Sequence, residues 1–334
     1  MSKTRAWIRR SLRRNHPVFI YPYRGYGHAS KVVLMGRVLE KISSIHEPSK
    51  EREGKWHNFK KAWRRYFSYE VPGVRLQASF GGQVLEATSD EEGYFEFEFT
   101  GDFSSLGTGW KKIELEILSV PHQLSFQRSS IAEVILVDGS SEFGIISDMD
   151  DTVMQSNVVR KLKMLSTMLF NSAESRVAFE GVVDLYQQLN KQDRNPLFFI
   201  SGSSYNLYDL LEKFCRINHI PRAPMLLRDM GISKNQWFLE RNFPFKTGCI
   251  ERLLRLFPDL PFILIGDSGQ HDPEVYLHIQ EKYPDRILGI YIRNVTLLGL
   301  RNEELSALEK KHPHFKAIKN SQAAIDHARE KQWI

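Results

Sequence analysis

Gly144-Ile145-Ile146-Ser147-Asp148-Met149-Asp150-Asp151-Thr152 runs an apolar stretch directly into two aspartates spaced by one residue, then a threonine. A short apolar run of this kind suits a strand buried on both faces. Acid density at the end of such a strand is costly unless something cationic occupies it. An oxygen-ligated divalent ion is the natural occupant, and Mg2+ takes few carboxylates plus water and phosphate. A calcium-binding loop would need Gly at its sixth position and Glu at its twelfth. Here those positions are Val153 and Val159, so that reading fails.

Beyond this stretch, apolar β-rich runs at 197–201, 262–266 and 286–292 alternate with helix-length amphipathic patterns at 207–214, 250–256 and 273–283. Strands separated by helices predict a parallel α/β sheet, whose ligands bind beyond the carboxyl ends of the strands. Upstream the character differs. The segments 32–39, 74–78, 94–99 and 112–118 alternate with a period of two, and Asp90-Glu91-Glu92-Gly93 reads as a turn. Alternation of this kind predicts antiparallel sheet with one wet face, hence a β-sandwich-like unit.

Polar clusters stand at the predicted strand ends. They are Ser201-Gly202-Ser203, then Lys246 just before the helix at Ile250, then Gly266-Asp267-Ser268-Gly269-Gln270-His271-Asp272. In this order, with Asp148-x-Asp150-x-Thr152, they resemble the haloacid dehalogenase (HAD) superfamily of phosphotransferases. A phosphoacceptor receiver domain shares the acids and the lysine, but has no acid two residues after its nucleophile and is shorter than this region. The resemblance implies an α/β HAD-like Rossmannoid domain, a parallel sheet flanked by helices, at 140–334. It follows an antiparallel β-sandwich-like domain at 18–139 and a basic segment at 1–17.

The same resemblance implies roles. Asp148 would be the nucleophile forming an aspartyl-phosphate, and Asp150 the general acid and then base. Thr152 would brace that turn, while Ser201, Gly202 and Lys246 would hold the phosphoryl oxygens. Asp148, the main-chain carbonyl of Asp150, Asp267 and Asp272 would hold Mg2+. His271 is expected at the surface or behind the ligands.

Further stretches narrow the resemblance: Ser147-Asp148-Met149-Asp150-Asp151-Thr152, Leu227-Arg228-Asp229, Tyr291-Ile292-Arg293 and, far upstream, Pro22-Tyr23-Arg24-Gly25-Tyr26-Gly27. They are similar to the Mg2+-dependent phosphatidate phosphatases of the actin-patch-associated type and their bacterial relatives. The implied reaction is hydrolysis of phosphatidate to diacylglycerol and phosphate, with Arg228 and Arg293 as headgroup ligands. Alternatives are a HAD phosphatase of soluble or macromolecular phosphomonoesters, and a non-catalytic lipid- or protein-binding module. The chain departs from the family pattern at Ser201-Gly202-Ser203-Ser204-Tyr205, where Ser-Asn-Ser-Pro-Trp is common, and at Phe245, where His commonly precedes the lysine.

Charge and composition set the partners. The chain has 334 residues and a formal charge of +6. Lys3, Arg5, Arg9, Arg10, Arg13 and Arg14 carry that whole excess, with no acid among the first fourteen residues. A nucleic-acid binder would spread its charge over a folded face, so no nucleic-acid partner is expected. Arginines among Trp7, Ile8 and Leu12 suit an anionic membrane surface, and a solvated tail is the alternative. The basic, aromatic stretch at 56–67 reads as an amphipathic helix whose aromatics belong to a core.

No apolar run approaches the roughly 18 residues of a membrane span. The first residues lack a secretory h-region. Cys215 and Cys249 have no metal-type spacing. Together these predict a cytoplasmic protein, peripheral to the membrane where it meets phospholipid. Only 48 residues separate Thr152 from Ser201, which leaves little for a cap and predicts an open site, with the basic stretch at 158–170 as a flap or as a helix packed on the sheet.

Overall fold

The computed structural model describes residues 17–40, 70–121, 124–149, 173–228, 242–268, 271–294 and 302–334. The expectations for Asp150, Thr152, the N-terminal arginines, the stretch at 56–67 and the stretch at 158–170 lie outside the described residues.

The first half forms one eight-stranded sheet. Its strands are β1 (Val18–Pro22), β2 (Gly25–His28), β3 (Lys31–Glu40), β4 (Arg75–Phe80), β5 (Gln83–Thr88), β6 (Tyr94–Thr100), β7 (Gly109–Ser119) and β8 (Ser129–Val137). The alternating segments become β3, β4, β6 and β7, as their period requires. Every pairing is antiparallel except β2 with β8, which enter from the same end. Along β3 the long edge is shared: β6 takes one side at 31–37, while β2 and then β1 take the other. Leu34, Leu76, Phe97, Leu115 and Val134, from five strands, meet in a single apolar cluster. The sheet therefore curls around its own core.

The second half is a six-stranded parallel sheet with helices on both faces. Its strands are β9 (Gly144–Asp148), β10 (Leu197–Ser204), β11 (Met225–Arg228), β12 (Phe262–Asp267), β13 (Ile287–Arg293) and β14 (Phe315–Ile318). The order is β11-β10-β9-β12-β13-β14. The chain builds outward from β9 through β10 and β11, then returns to the other flank of β9. That reversal between β9 and β12 is the switch point at which doubly wound sheets bind ligands. Side chains alternate across the sheet. Ile145, Phe199, Ile263 and Tyr291 pack beneath α1 (Ala173–Asn190), α2 (Tyr208–Ile217) and α6 (Ser321–Glu330). Ile146, Phe198, Leu264 and Ile290 pack beneath α3 (Asn242–Leu256), α4 (Asp272–Lys282) and α5 (Asn302–Lys311).

The two sheets touch along a seam built by the upstream Tyr23–Gly27 stretch. Tyr26 packs edge-on against Phe198 at 5.8 Å, and Arg24 donates to Glu212 of α2 at 2.8 Å. Arg222 reaches Glu133 at 3.1 Å and lies over Trp110. Arg252 of α3 pairs with Glu96 at 2.8 Å. Tyr23 and Tyr94 are members of the core of the parallel sheet.

Asp138 pins the crossing between the sheets. Its carboxylate accepts from the backbone N–H of Ser140 at 2.8 Å and of Thr108 at 3.1 Å. Hydrogen bonds from Ser140, then Thr108, hold its carboxyl down at about 2. An unfolded aspartate titrates near 3.9, so between the two values the unfolded chain binds more protons. The contribution is present above pH ~4 and is lost as pH falls towards ~2. Asp138→Asn should therefore lower the urea midpoint at neutral pH, and the gap from wild type should close near pH ~2. A gap independent of pH would show that this carboxylate does not couple to folding.

Candidate active site

Parallel pairing gathers the polar clusters at one edge. In register, Asp148 stands beside Ile200, Ser201 beside Leu227, Ser204 beside Arg228 and Asp267 beside Arg293. The switch point thus lies between Asp148 at the end of β9 and Asp267 at the end of β12.

Two helices deliver charge into this buried edge. Lys246 lies inside α3, not ahead of it as the sequence suggested. The helix begins at Asn242, and Pro244 sits in the first turn, where its missing N–H costs no helical bond. Lys246, Ile250, Leu253 and Leu254 then share one buried stripe, the spacing of a helix face turned to a core. Asp272 opens α4 and shares its stripe with Val275, Tyr276 and Ile279.

Lys246 Nζ lies 3.0 Å from Asp148 Oδ1 and 2.5 Å from Asp272 Oδ1. All three side chains are at most 3% exposed. The second oxygen of Asp272 accepts from the backbone N–H of Asp267 at 3.2 Å. One carboxylate oxygen from each of Asp148, Asp267 and Asp272 lies within 4.8 Å of the other two. Hard oxygen donors in such a cluster match the chemistry of a divalent cation of the Mg2+ type.

Behind the acids, Tyr276 is fully buried and donates to the carbonyl of Ile265 at 3.0 Å. Burial, then the nearby Asp272, Asp148 and Asp267, push its phenol well above the ordinary value. It stays a donor across the working pH range and fixes the end of β12. Gly266 is needed by the same packing. A Cβ there would lie 2.5 Å from Asp272 Oδ2 and 2.8 Å from both Asp272 Cβ and the Tyr276 ring. Gly266→Ala should cost about 1–3 kcal/mol of stability through overpacking and displace Asp272 from Lys246. Urea denaturation checks the first effect and turnover the second; wild-type values in both would refute the close packing.

Ser201 ends the apolar run of β10 fully buried, its Oγ accepting from the backbone N–H of Ser203 at 3.0 Å. Pairing with β11 slips between Ser201 and Ser204, so Gly202 and Ser203 form a bulge beside the acids. Bulges re-aim side chains and backbone at such places. Arg228 lies 5.1 Å from the ring of Phe245, so the aromatic preceding Lys246 is a stacking partner for one of the proposed headgroup arginines. Arg293, Ser147, Tyr186, Phe199 and Ile265 line a cleft that also meets Asp148 and Asp267. Ser147 Oγ and Tyr186 Oη are 2.7 Å apart at its wall. His271, next to Asp272, has a 67% exposed side chain near Glu274, in keeping with the surface role expected for it. Tyr276, Gly266 and Tyr186 gained no role from the sequence; the buried stripe of α4 was the available signal for the first.

Residues 143–294 match the family described as phosphatidate phosphatase APP1, catalytic domain. Phosphatidate phosphatase APP1 of Saccharomyces cerevisiae is 30% identical over 150 residues, 45% of this chain and 25% of its own length. An uncharacterised protein of Schizosaccharomyces pombe is 27% identical over 213 residues, 63% of this chain and 34% of its own. The chain thus spans about a third or less of either relative. Among solved structures, an immunoglobulin-like domain of the M. primoryensis ice-binding adhesin is 11% identical with a TM-score of 0.20, covering 37% of this chain and 97% of that one. The APP1-type stretch contains Asp148, Ser201, Arg228, Lys246, Asp267, Asp272 and Arg293, and excludes the whole first sheet. Among the described residues of the chain, no helix is long and apolar enough to cross a membrane.

Proposed function

We propose that the chain is a Mg2+-dependent phosphatidate phosphatase that releases phosphate and leaves diacylglycerol. One observation carries the reading: within the APP1-type stretch, Lys246 bridges Asp148 and Asp272 beside Asp267 at the switch point of the sheet. The arrangement suits a nucleophilic carboxylate held by a buried cation. The open cleft with apolar walls beside Arg293 suits an ester that joins an anionic headgroup to an apolar body. We read the parallel sheet as HAD-like and the first sheet as β-sandwich-like.

Asp148 attacks phosphorus, and the bond from phosphorus to the lipid oxygen breaks. Asp150 gives the leaving oxygen its proton, then takes one from the water that attacks the aspartyl-phosphate. That attack frees the Asp148 carboxylate and inorganic phosphate. Lys246 keeps Asp148 aimed and, with Ser201 and the Gly202 backbone, takes up charge on the phosphoryl oxygens. Thr152 braces the Asp150 turn, while Arg228 and Arg293 face the headgroup. Mg2+ would be held by Asp148, Asp267, Asp272 and the Asp150 carbonyl, where it neutralises phosphoryl charge. Asp272 also accepts from Lys246 and from the Asp267 amide, so besides its share of the ion it positions the lysine. The substrate would be met at an anionic cytoplasmic membrane surface through the N-terminal arginines.

Phosphate release from phosphatidate in vesicles and from a panel of soluble phosphomonoesters, with and without Mg2+, tests the reading. Release from phosphatidate that stops on chelation and returns with Mg2+ is the expected result. Turnover of soluble esters alone would transfer the site to a different substrate class, and no turnover of any ester would leave a binding module.

A further inference from the structure

The first sheet lies outside the APP1-type stretch, yet several of its contacts fall on one short segment of the site. Directly after the Ser201–Ser204 bulge the chain runs through Tyr205, Asn206 and Leu207 into α2. Tyr23 stacks on Tyr205 with ring centres 4.6 Å apart and packs at a tilt against Tyr208 at 4.5 Å. The backbone N–H of Arg24 donates to Tyr208 Oη at 2.8 Å. Arg37, only 3% exposed, donates to Asn206 Oδ1. Its guanidinium is itself fixed by the Glu92 carbonyl at 2.8 Å, Glu70 at 2.7 Å and the face of Tyr94 at 4.4 Å. Ser204 Oγ caps the same turn by accepting from the Asn206 backbone N–H at 3.2 Å.

A bulge is unpaired by construction, so its backbone geometry is set by what holds its ends. On the β9 side the end is held by the ladder, with Met149 N–H donating to the Ile200 carbonyl at 3.0 Å. On the other side Ser204 pairs with Arg228 of β11, and the turn directly after it is held by side chains of the first sheet. We propose that the first sheet is a positioning element of the site: Arg37 and Tyr23, through Asn206 and Tyr205, set the Ser201–Gly202–Ser203 turn in the geometry that binds a phosphoryl group. The proposal rests on the phosphatase reading for what the turn binds. It gives the first sheet a role in the chemistry, and it explains why Tyr23 and Arg24 sit in a motif so far upstream of the acids.

Three variants test it. Asn206→Ala removes the acceptor of Arg37, Asn206→Asp keeps an oxygen there, and Arg222→Ala breaks the seam elsewhere, at Glu133 and Trp110. Two quantities are read in each: amide hydrogen exchange at 201–206, and inhibition by orthovanadate as a phosphoryl analogue. Asn206→Ala should speed exchange at 201–206 and raise the vanadate inhibition constant about tenfold. Asn206→Asp should restore both, and Arg222→Ala should change neither, whatever its melting temperature. Vanadate inhibition unchanged in Asn206→Ala, or weakened equally in Asn206→Asp and Arg222→Ala, would overturn the proposal. Exchange that responds as expected in a protein with no phosphatase activity would support the grip and overturn the functional reading instead.

Discussion

Asp148→Asn is expected to cut turnover by on the order of 10^4-fold or more, as loss of a nucleophile does when the remaining groups act only through it. The fold should survive. Asp148, Asp267 and Asp272 each bring one oxygen within 4.8 Å of the others, so removing one negative charge relieves repulsion while Lys246 keeps its 2.5 Å contact to Asp272. Thermal stability at or above wild type, with turnover gone, is the combined signature. Lost activity accompanied by a collapsed melting temperature would point to a structural carboxylate. Retained activity would remove Asp148 from the mechanism.

Lys246→Met should have the largest effect on stability. The lysine is buried between two carboxylates, and breaking a buried pair by removing one partner costs about 3–5 kcal/mol because the other charges stay buried. The methionine fills much the same volume, so the loss reports charge more than packing. Adding Asp272→Asn to Lys246→Met should recover a large part of it, since groups in contact couple non-additively. Urea midpoints of the two single variants and the double variant give the coupling directly. Simple additivity would mean that the contact between the helices carries no coupling energy.

Much of this architecture was legible from spacing. Period-two alternation found β3, β4, β6 and β7, and apolar runs found β9, β10, β12 and β13. Short strands such as β2 were missed, as was the nine-residue β8. In β2, Gly25-Tyr26-Gly27-His28 has no β-branched residue, because the hairpin with β3 leaves no room: a Cβ at Gly25 would lie 2.5 Å from the Val33 carbonyl oxygen, and one at Gly27 would lie 2.4 Å from that of Lys31. The acids of the site were legible from their position after apolar runs. Their partners were not. Lys246 and Asp272 stand 26 residues apart and meet only because α3 and α4 cover the same face of the sheet. Pro244 and Gly248 hid the early start of α3, which is what carries Lys246 inward. Tyr205 was read as a change near the phosphoryl turn. It stacks on Tyr23 at the seam, a contact between halves of the chain that no local pattern encodes.

The central claim is that Asp148 carries the phosphoryl group during turnover. Quenching the enzyme with borohydride while it consumes phosphatidate reduces an acyl phosphate to the alcohol, converting the modified aspartate to homoserine. Peptide mass spectrometry should then find homoserine at position 148, dependent on substrate and absent in Asp148→Asn. Homoserine at another carboxylate, or none in an enzyme that is turning over, would contradict the account.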